Sequence, residues 1–466
     1  MRGGIISPPR RADARCEKNG GVFDMRDLRL NSTGGFKLKA GRAESILLGC
    51  LKGPDRETRT QVGALKEADW EELRRAAARH GVSPLLYERL SSQTSSEIKV
   101  PEGALQALRE AFLMNGARNA LLFQDLAQVL TAMHRDGIPV VVLKGAHLAE
   151  LVYAQRALRR MGDIDLLVRR PDLARTAALL RQMGYSWETE DLEAWFQKGV
   201  PANHVLPFFK PPHPRIEVHW TINWACPAPI ESVWRRVRPA TLGGADALVL
   251  SPEDLVLHLC MHAEQDGFER GLRPLCDLSA TLERYGGEID WDCLQSIARE
   301  WQAENSVYLA LRLAKDLLEA PAPAAVLRAL EPQDEAADWL AQASATVLAG
   351  EDELAAETDK SLEPLALILQ VPAPRSFGSR IKSGFRTVFP SCERMREYMA
   401  VWHSLPLTRV RSYTCYVTRW LYWLGRSLRA AWYWAHHREA TADYLRKQLR
   451  KRRLRKWLKG RSNGER

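Results

Sequence analysis

The run Pro139-Val140-Val141-Val142-Leu143, bounded by Gly137 and Gly145, does most to limit what this chain can fold into. It is β-branched, apolar and too short for a helix, so it reads as a buried strand. The sequence on either side of this region has a different period. Leu73, Ala77 and His80 recur at three- and four-residue spacing, and Leu121, Leu122, Leu126 and Leu130 form a second such set, which predicts helix from about Glu44 to Arg135. After the strand come a helix-favouring stretch from Ala146 to about Gln155 and a second strand, Asp163 to Val168. A helix opened by Pro171-Asp172 and closed near Gly184 follows, then an alternating strand, Arg215 to Trp220. Ser251-Pro252-Glu253-Asp254 has the form of a helix start, and helical spacing then continues to about Leu348. Strands and helices are thus interleaved only between about 137 and 245.

A chain of 466 residues exceeds one ordinary core. The pattern divides it into a basic, disordered extension (1–42), an N-terminal helical region (43–135), a mixed core (136–245), a helical domain (246–370), a linker (371–400) and an aromatic, basic helical segment (401–466). The residues before Met25 read as disordered or as an upstream extension. The net charge of +10 sits at the two ends: 1–42 carries +6 and 446–466 carries +10, so the body between them is mildly acidic. Eight cysteines without a Cys-x-x-Cys pair suit neither a disulfide framework nor a zinc ribbon and imply reduced thiols in the cytoplasm. The chain has no apolar run of signal-peptide length in its first 30 residues and no 18 uncharged apolar residues in succession. Secretion and membrane spanning are therefore not expected. The segment Tyr413 to Trp434 holds four tryptophans and four tyrosines interrupted by Arg419, Arg426 and Arg429; it reads as a packed aromatic helix, a membrane-surface helix or an RNA-facing platform.

The chemistry sits in the interleaved region. Residues two apart on a strand share a face, so Asp163 and Asp165 project together while Ile164 and Leu166 turn away. Two such carboxylates repel unless a cation lies between them, and Mg²⁺ takes one or two protein carboxylates together with phosphate oxygens and water. Spacing alone is weak evidence, since Asp290-Trp291-Asp292 has it too, there as a helix N-cap with a first-turn acid. The surroundings of Asp163 add more. Lys144-Gly145 follows a buried strand and precedes a helix, where backbone N–H groups and an ammonium meet phosphate. Arg156, Arg159 and Arg160 can balance a triphosphate. Glu217 shares a strand face with Arg215 and His219, and a third carboxylate is what places an attacking hydroxyl in two-metal chemistry. His219 reads as a residue that packs against or orients Glu217. His258 and His262, four apart on a helix, read as a packed pair in preference to metal ligands, and Asp277 is open to either reading.

Leu143-Lys144-Gly145-Ala146-His147-Leu148, then Tyr153, Arg159, Gly162-Asp163-Ile164-Asp165-Leu166-Leu167-Val168, Gly184-Tyr185 and Glu217-Val218-His219-Trp220 resemble the bacterial family called uncharacterised nucleotidyltransferase, of the DNA polymerase β-like superfamily. Leu257 to His262 and Ile289 to Asp292 extend the resemblance to about residues 43–315. It implies an α+β fold, a small mixed β-sheet palm embedded in a mostly helical chain. It also implies Asp163 and Asp165 at both metals, with Glu217 completing one of them. Ala146 stands where a Ser is common in the superfamily, which leaves Lys144 as the substitute phosphate contact.

The reading that joins these points is transfer of a nucleoside monophosphate from an NTP to an unidentified hydroxyl acceptor. Asp163, Asp165 and Glu217 would hold Mg²⁺ or Mn²⁺, and Lys144, Gly145 and Arg159 the phosphates. The rival is a noncatalytic regulatory or scaffold protein of the same fold. A glycosyltransferase using Asp-x-Asp leaves Lys144-Gly145 and Glu217 without roles. For the basic C-terminus, Leu445, Leu449, Leu454, Trp457 and Leu458 form a partial apolar stripe, which favours an anionic membrane surface or a partner helix over nucleic acid.

Overall fold

The structure is a computed structural model describing residues 29–30, 36–37, 40–92, 100–187, 205–222, 230–333 and 336–350, with 449, 453, 454, 457 and 458. The linker expected at 371–400 and the aromatic segment Tyr413 to Trp434 lie outside the described residues. The chain divides into two compact units, Met1–Lys39 and Ala40–Arg466. In the first, β1 (Arg29–Leu30) pairs antiparallel with β2 (Phe36–Lys37), inside the stretch whose composition reads as a disordered extension.

The second unit opens with α1 (Arg42–Lys52), α2 (Arg56–Gly63), α3 (Glu67–Arg79), α4 (Ser83–Ser91) and the 34-residue α5 (Glu102–Arg135). Leu73, Ala77 and His80 are buried, as their spacing predicts. Leu122, Leu126 and Leu130 form the buried stripe of α5, whereas Leu121, one position out of phase, is 65% exposed.

A six-stranded sheet follows. It is built from β3 (Val140–Val142), β4 (Asp163–Val168), β5 (Val205–Phe208), β6 (Arg215–His219), β7 (Arg238–Leu242) and β8 (Ala245–Val249), with α6 (Lys144–Leu151), α7 (Leu173–Gln182) and α8 (Ile230–Arg236) between them. The spatial order is β5-β6-β4-β3-β8-β7. β4 runs parallel to β6 and antiparallel to β3, and β3 runs parallel to β8. The sheet is therefore mixed, as expected.

Sequence patterning finds three of the four inner strands, β3, β4 and β6, and misses β5, β7 and β8. Two of the missed strands are the edges, and each carries a proline, Pro207 and Pro239. Proline cannot donate to a ladder and so belongs at an edge, where it also blurs the strand signal. β7 and β8 form a hairpin through Gly243-Gly244, both at positive φ (61° and 85°), the backbone that a tight two-residue turn demands.

Period two divides the sheet into two faces. Val140, Val142, Ile164, Leu166, Val168, Ile216 and Val218 pack with Leu122, Leu126 and Leu130 of α5 and with Leu173, Ala177 and Leu180 of α7. The opposite face of β4 and β6 carries Asp163, Asp165, Glu217 and His219. The apolar face thus makes the core, and its alternate residues are free to carry chemistry.

The chain then becomes helical: α9 (Pro252–Gln265), α10 (Arg273–Tyr285), α11 (Trp291–Glu300), α12 (Glu304–Leu318), α13 (Ala324–Leu330) and α14 (Ala336–Ala349). Ser251 caps α9, its hydroxyl accepting from Asp254 N at 3.2 Å. Asp290 caps α11, accepting from Asp292 N and Cys293 N, so the second Asp-x-Asp is a helix start, as expected. Among the described residues no helix is long and apolar enough to cross a membrane.

Two leucines of the C-terminal stripe are spent on the protein itself. Leu454 and Leu458 are 3% and 1% exposed, the Asn305 side chain donates to the Trp457 carbonyl at 2.8 Å, and the Trp457 ring lies 5.8 Å from that of Trp339. Leu454→Ala and Leu458→Ala should each lower the unfolding free energy by about 2–5 kcal/mol, the usual cost of a leucine-sized cavity. A melting temperature unchanged in both variants would place these side chains in solvent.

Candidate metal centre

β4 and β6 lie parallel and in register, Asp163 opposite Arg215, Asp165 opposite Glu217 and Leu167 opposite His219. This pairing turns two separate sequence motifs into one cluster. On the other side of β4, Leu143 N donates to Asp165 O at 3.0 Å, which places the first residue of α6 beside the cluster. Lys144 Nζ lies 3.4 Å from Asp165 Oδ1.

Three carboxylates this close need positive charge between them. Arg215 Nη2 donates to Asp163 Oδ2 at 3.0 Å and also meets Glu217 Oε1 at 2.6 Å. His219 Nε2 lies 3.0 Å from Asp165 Oδ1 and 3.8 Å from Glu217 Oε2. The side chain of Asp165 is fully buried, while that of Asp163 is 32% exposed. Burial acts to raise the Asp165 carboxyl, but Lys144, then His219 and His262, hold it well below the usual carboxylate range. Glu217 moves the other way, raised by burial and by the Asp165 charge, with Arg215 opposing. The environment therefore separates the two opposed acids.

Asp165, Glu217 and His219 each offer a ligand atom, and these atoms lie within 4.8 Å of one another. They are the one such cluster of His, Cys, Asp or Glu among the described residues. Asp165 Oδ2 is buried and has no hydrogen-bond partner. Buried carboxylate oxygens are normally satisfied, so an oxygen left without a donor amid converging ligands fits a cation. Of the three carboxylates expected at the metal, Asp165 and Glu217 converge with His219, and Asp163 faces Arg215. The alternation of β6 placed His219 on the face of Glu217. Its approach to Asp165 depends on the register of β6 against β4, which local sequence does not carry.

The arginines ahead of β4 separate by burial. Arg160 is exposed, and Arg156 pairs with Glu150 and lies 4.1 Å over the Phe123 ring. Arg159 turns inward and pairs with Asp277 of α10 through Nη2–Oδ2 (3.0 Å) and Nε–Oδ1 (3.2 Å), while Tyr153 donates to the same carboxylate at 2.9 Å. A side chain on Gly145 would begin 3.5 Å from Arg159 Nη1, so the guanidinium lies directly behind the start of α6. The lead-in to β4 is held from α5. Asn115 donates to Ala157 O, and Asn119 donates to Arg156 O and Arg159 O at 2.6–2.8 Å. These two asparagines, one helical turn apart, escaped the sequence reading, although buried amides at that spacing need carbonyl partners.

His258 and His262 form an edge-to-face pair with ring centroids 6.4 Å apart. Burial and the charge of Lys144 hold both imidazoles below their ordinary range. His262 Nδ1 meets Asp266 Oδ2 at 3.2 Å, and neither histidine joins the converging cluster.

Opposed acids on parallel strands, joined by His219 and backed by a lysine at a helix start, form a centre that offers ligands to a metal ion inside a mostly helical chain. This chain belongs to the family described as uncharacterised nucleotidyltransferase, which matches residues 66–319. That stretch includes β3 to β8, Lys144, Arg159, Asp163, Asp165, Glu217, His219 and Asp277. No curated protein and no solved structure matches the chain.

Proposed function

We propose that the protein transfers a nucleoside monophosphate from an NTP to a hydroxyl acceptor and releases pyrophosphate. The observation that carries this reading is the register of β4 against β6, which sets Asp165 opposite Glu217 with Asp163 two residues before, in a chain of a nucleotidyltransferase family. Asp165 and Glu217 are the carboxylates to hold a divalent cation, Mg²⁺ or Mn²⁺, with Asp163 completing the acidic face through Arg215; the ion when bound supplies charge neutralisation at the triphosphate and activation of the acceptor hydroxyl. The acceptor hydroxyl gives up its proton to water as its oxygen forms a bond to the α-phosphorus, and the bond from that phosphorus to the α,β-bridging oxygen breaks.

The remaining work is positioning and screening. Lys144, at the first turn of α6, directs an ammonium at the phosphates, and the absence of a side chain at Gly145 lets them approach the backbone N–H groups of that turn. Arg159, held by Asp277, adds positive charge behind the same turn. Glu217, opposite Asp165, takes the side of the attacking hydroxyl.

The test is incubation of the purified chain with each labelled NTP and Mg²⁺ or Mn²⁺, reading pyrophosphate release and the identity of any labelled acceptor. Glu217→Gln should lower the rate at saturating nucleotide by about a hundredfold, with nucleotide affinity nearly unchanged, because the group acts mainly in the transition state. Loss of affinity with the rate intact would make Glu217 a binding residue. No pyrophosphate release with any NTP would remove the activity, and the noncatalytic reading would stand.

A further inference from the structure

Among the described residues, the cluster divides its acids between two kinds of cation. Arg215 takes Asp163 Oδ2 and Glu217 Oε1, and the ligand atoms left converging are those of Asp165, Glu217 and His219. We propose that the protein binds one divalent ion on the His219 side, through a mixed nitrogen and oxygen donor set that favours Mn²⁺ over Mg²⁺, and that Arg215 supplies the second positive charge between Asp163 and Glu217. This deepens the nucleotidyltransferase reading and rests on it for the site's use, but not for the binding itself.

Three observations carry it. First, the separations suit a shared ion. Ligand atoms about 2.1 Å from a metal lie roughly 3.0–3.4 Å apart in octahedral or tetrahedral arrangements. His219 Nε2 stands 3.0 Å from Asp165 Oδ1 and 3.8 Å from Glu217 Oε2, so small side-chain shifts complete the geometry. Second, Asp165 Oδ2 is buried with no donor, an acceptor already turned from water and unclaimed by the protein. Third, Arg215 is anchored to both flanking carboxylates, so an ion bound between Asp163 and Glu217 has to displace a guanidinium that makes two charge-assisted bonds.

The ion's identity follows from the donors. Mg²⁺ is hard, binds oxygen almost exclusively and dehydrates reluctantly. An imidazole nitrogen suits first-row transition ions, and Mn²⁺ also accepts carboxylate, water and phosphate oxygen. One nitrogen among two carboxylates therefore shifts selectivity from Mg²⁺ toward Mn²⁺ while keeping the oxygens that phosphate chemistry uses.

The experiment uses the full chain with MnCl₂ or MgCl₂ alone and no nucleotide, so its result does not depend on whether any transfer activity is found. Isothermal titration should show one Mn²⁺ per chain, bound on the order of tenfold or more tighter than Mg²⁺. His219→Ala should reduce that preference to a few-fold. Because His219 is buried, the wild-type protein provides a readout that needs no variant: pulsed electron paramagnetic resonance of the Mn²⁺ complex should show coupling to a directly bound ¹⁴N. Arg215→Ala should admit a second, weaker ion. Two ions on the wild type, equal affinity for Mg²⁺ and Mn²⁺, no binding in the millimolar range, or a Mn²⁺ signal without nitrogen coupling would each overturn the proposal.

Discussion

Asp163→Ala and Asp165→Ala should both reduce metal-dependent turnover by on the order of a thousandfold or more, and only the second should also lower the melting temperature. The two aspartates share a strand face but not an environment. Asp163 has a side chain 32% exposed, and its removal leaves Arg215 with Glu217 and with water. Asp165 is fully buried between Lys144 and His219, so its removal leaves an ammonium without its carboxylate and a cavity beneath the cluster. Losing one partner of a buried charge pair costs about 3–5 kcal/mol, well above the cost of losing a partly exposed carboxylate. Asp165→Asn keeps the volume but not the charge and so separates the effects: it should recover only the part of the stability lost to the cavity, and none of the activity. Turnover near the wild-type level in either Ala variant would sink the catalytic assignment, and equal melting temperatures would contradict the burial difference.

What the sequence revealed and what it withheld follow from the range of the interactions. β4 is recovered at its observed bounds, Asp163 to Val168, because alternation, a glycine before it and an apolar run all agree within six residues. β3 and β6 are found in the same way. β5 and β7 are hidden by Pro207 and Pro239, residues tolerated only because these strands are edges, and edge position is a property of the assembled sheet. The carboxylates were legible as strand-face neighbours. The opposition of Asp165 to Glu217 was not, since it depends on parallel pairing between segments 52 residues apart, a separation that local periodicity does not constrain. For the same reason His219 could be placed on the face of Glu217 without its approach to Asp165 being visible. Arg159 was found as a cation ahead of the acids, while its partner lies 118 residues away.

Asp277→Ala should be among the most destabilising single substitutions in the chain and should also impair nucleotide binding, although Asp277 lies on α10, outside the sheet. The carboxylate is 3% exposed and accepts from Arg159 Nε and Nη2 and from Tyr153 OH. Burial pulls the Arg159 guanidinium toward neutrality, and Asp277 more than offsets this, so the guanidinium keeps its charge in the interior. Without Asp277 the arginine is a buried charge with no counterion, at a cost of about 3–5 kcal/mol. The damage reaches the site because Arg159 Nη1 lies 3.5 Å from where a side chain on Gly145 would begin, so a displaced guanidinium disturbs the α6 turn that carries Lys144. Double substitution separates the two effects. Arg159→Met with Asp277→Leu removes both charges and retains apolar volume, and should recover most of the melting temperature lost in Asp277→Ala. It should not recover nucleotide affinity, because the positive charge behind Gly145 is gone. If the double variant regains affinity together with stability, Arg159 serves folding alone. If Asp277→Ala melts with the wild type, the pair contributes nothing to the fold.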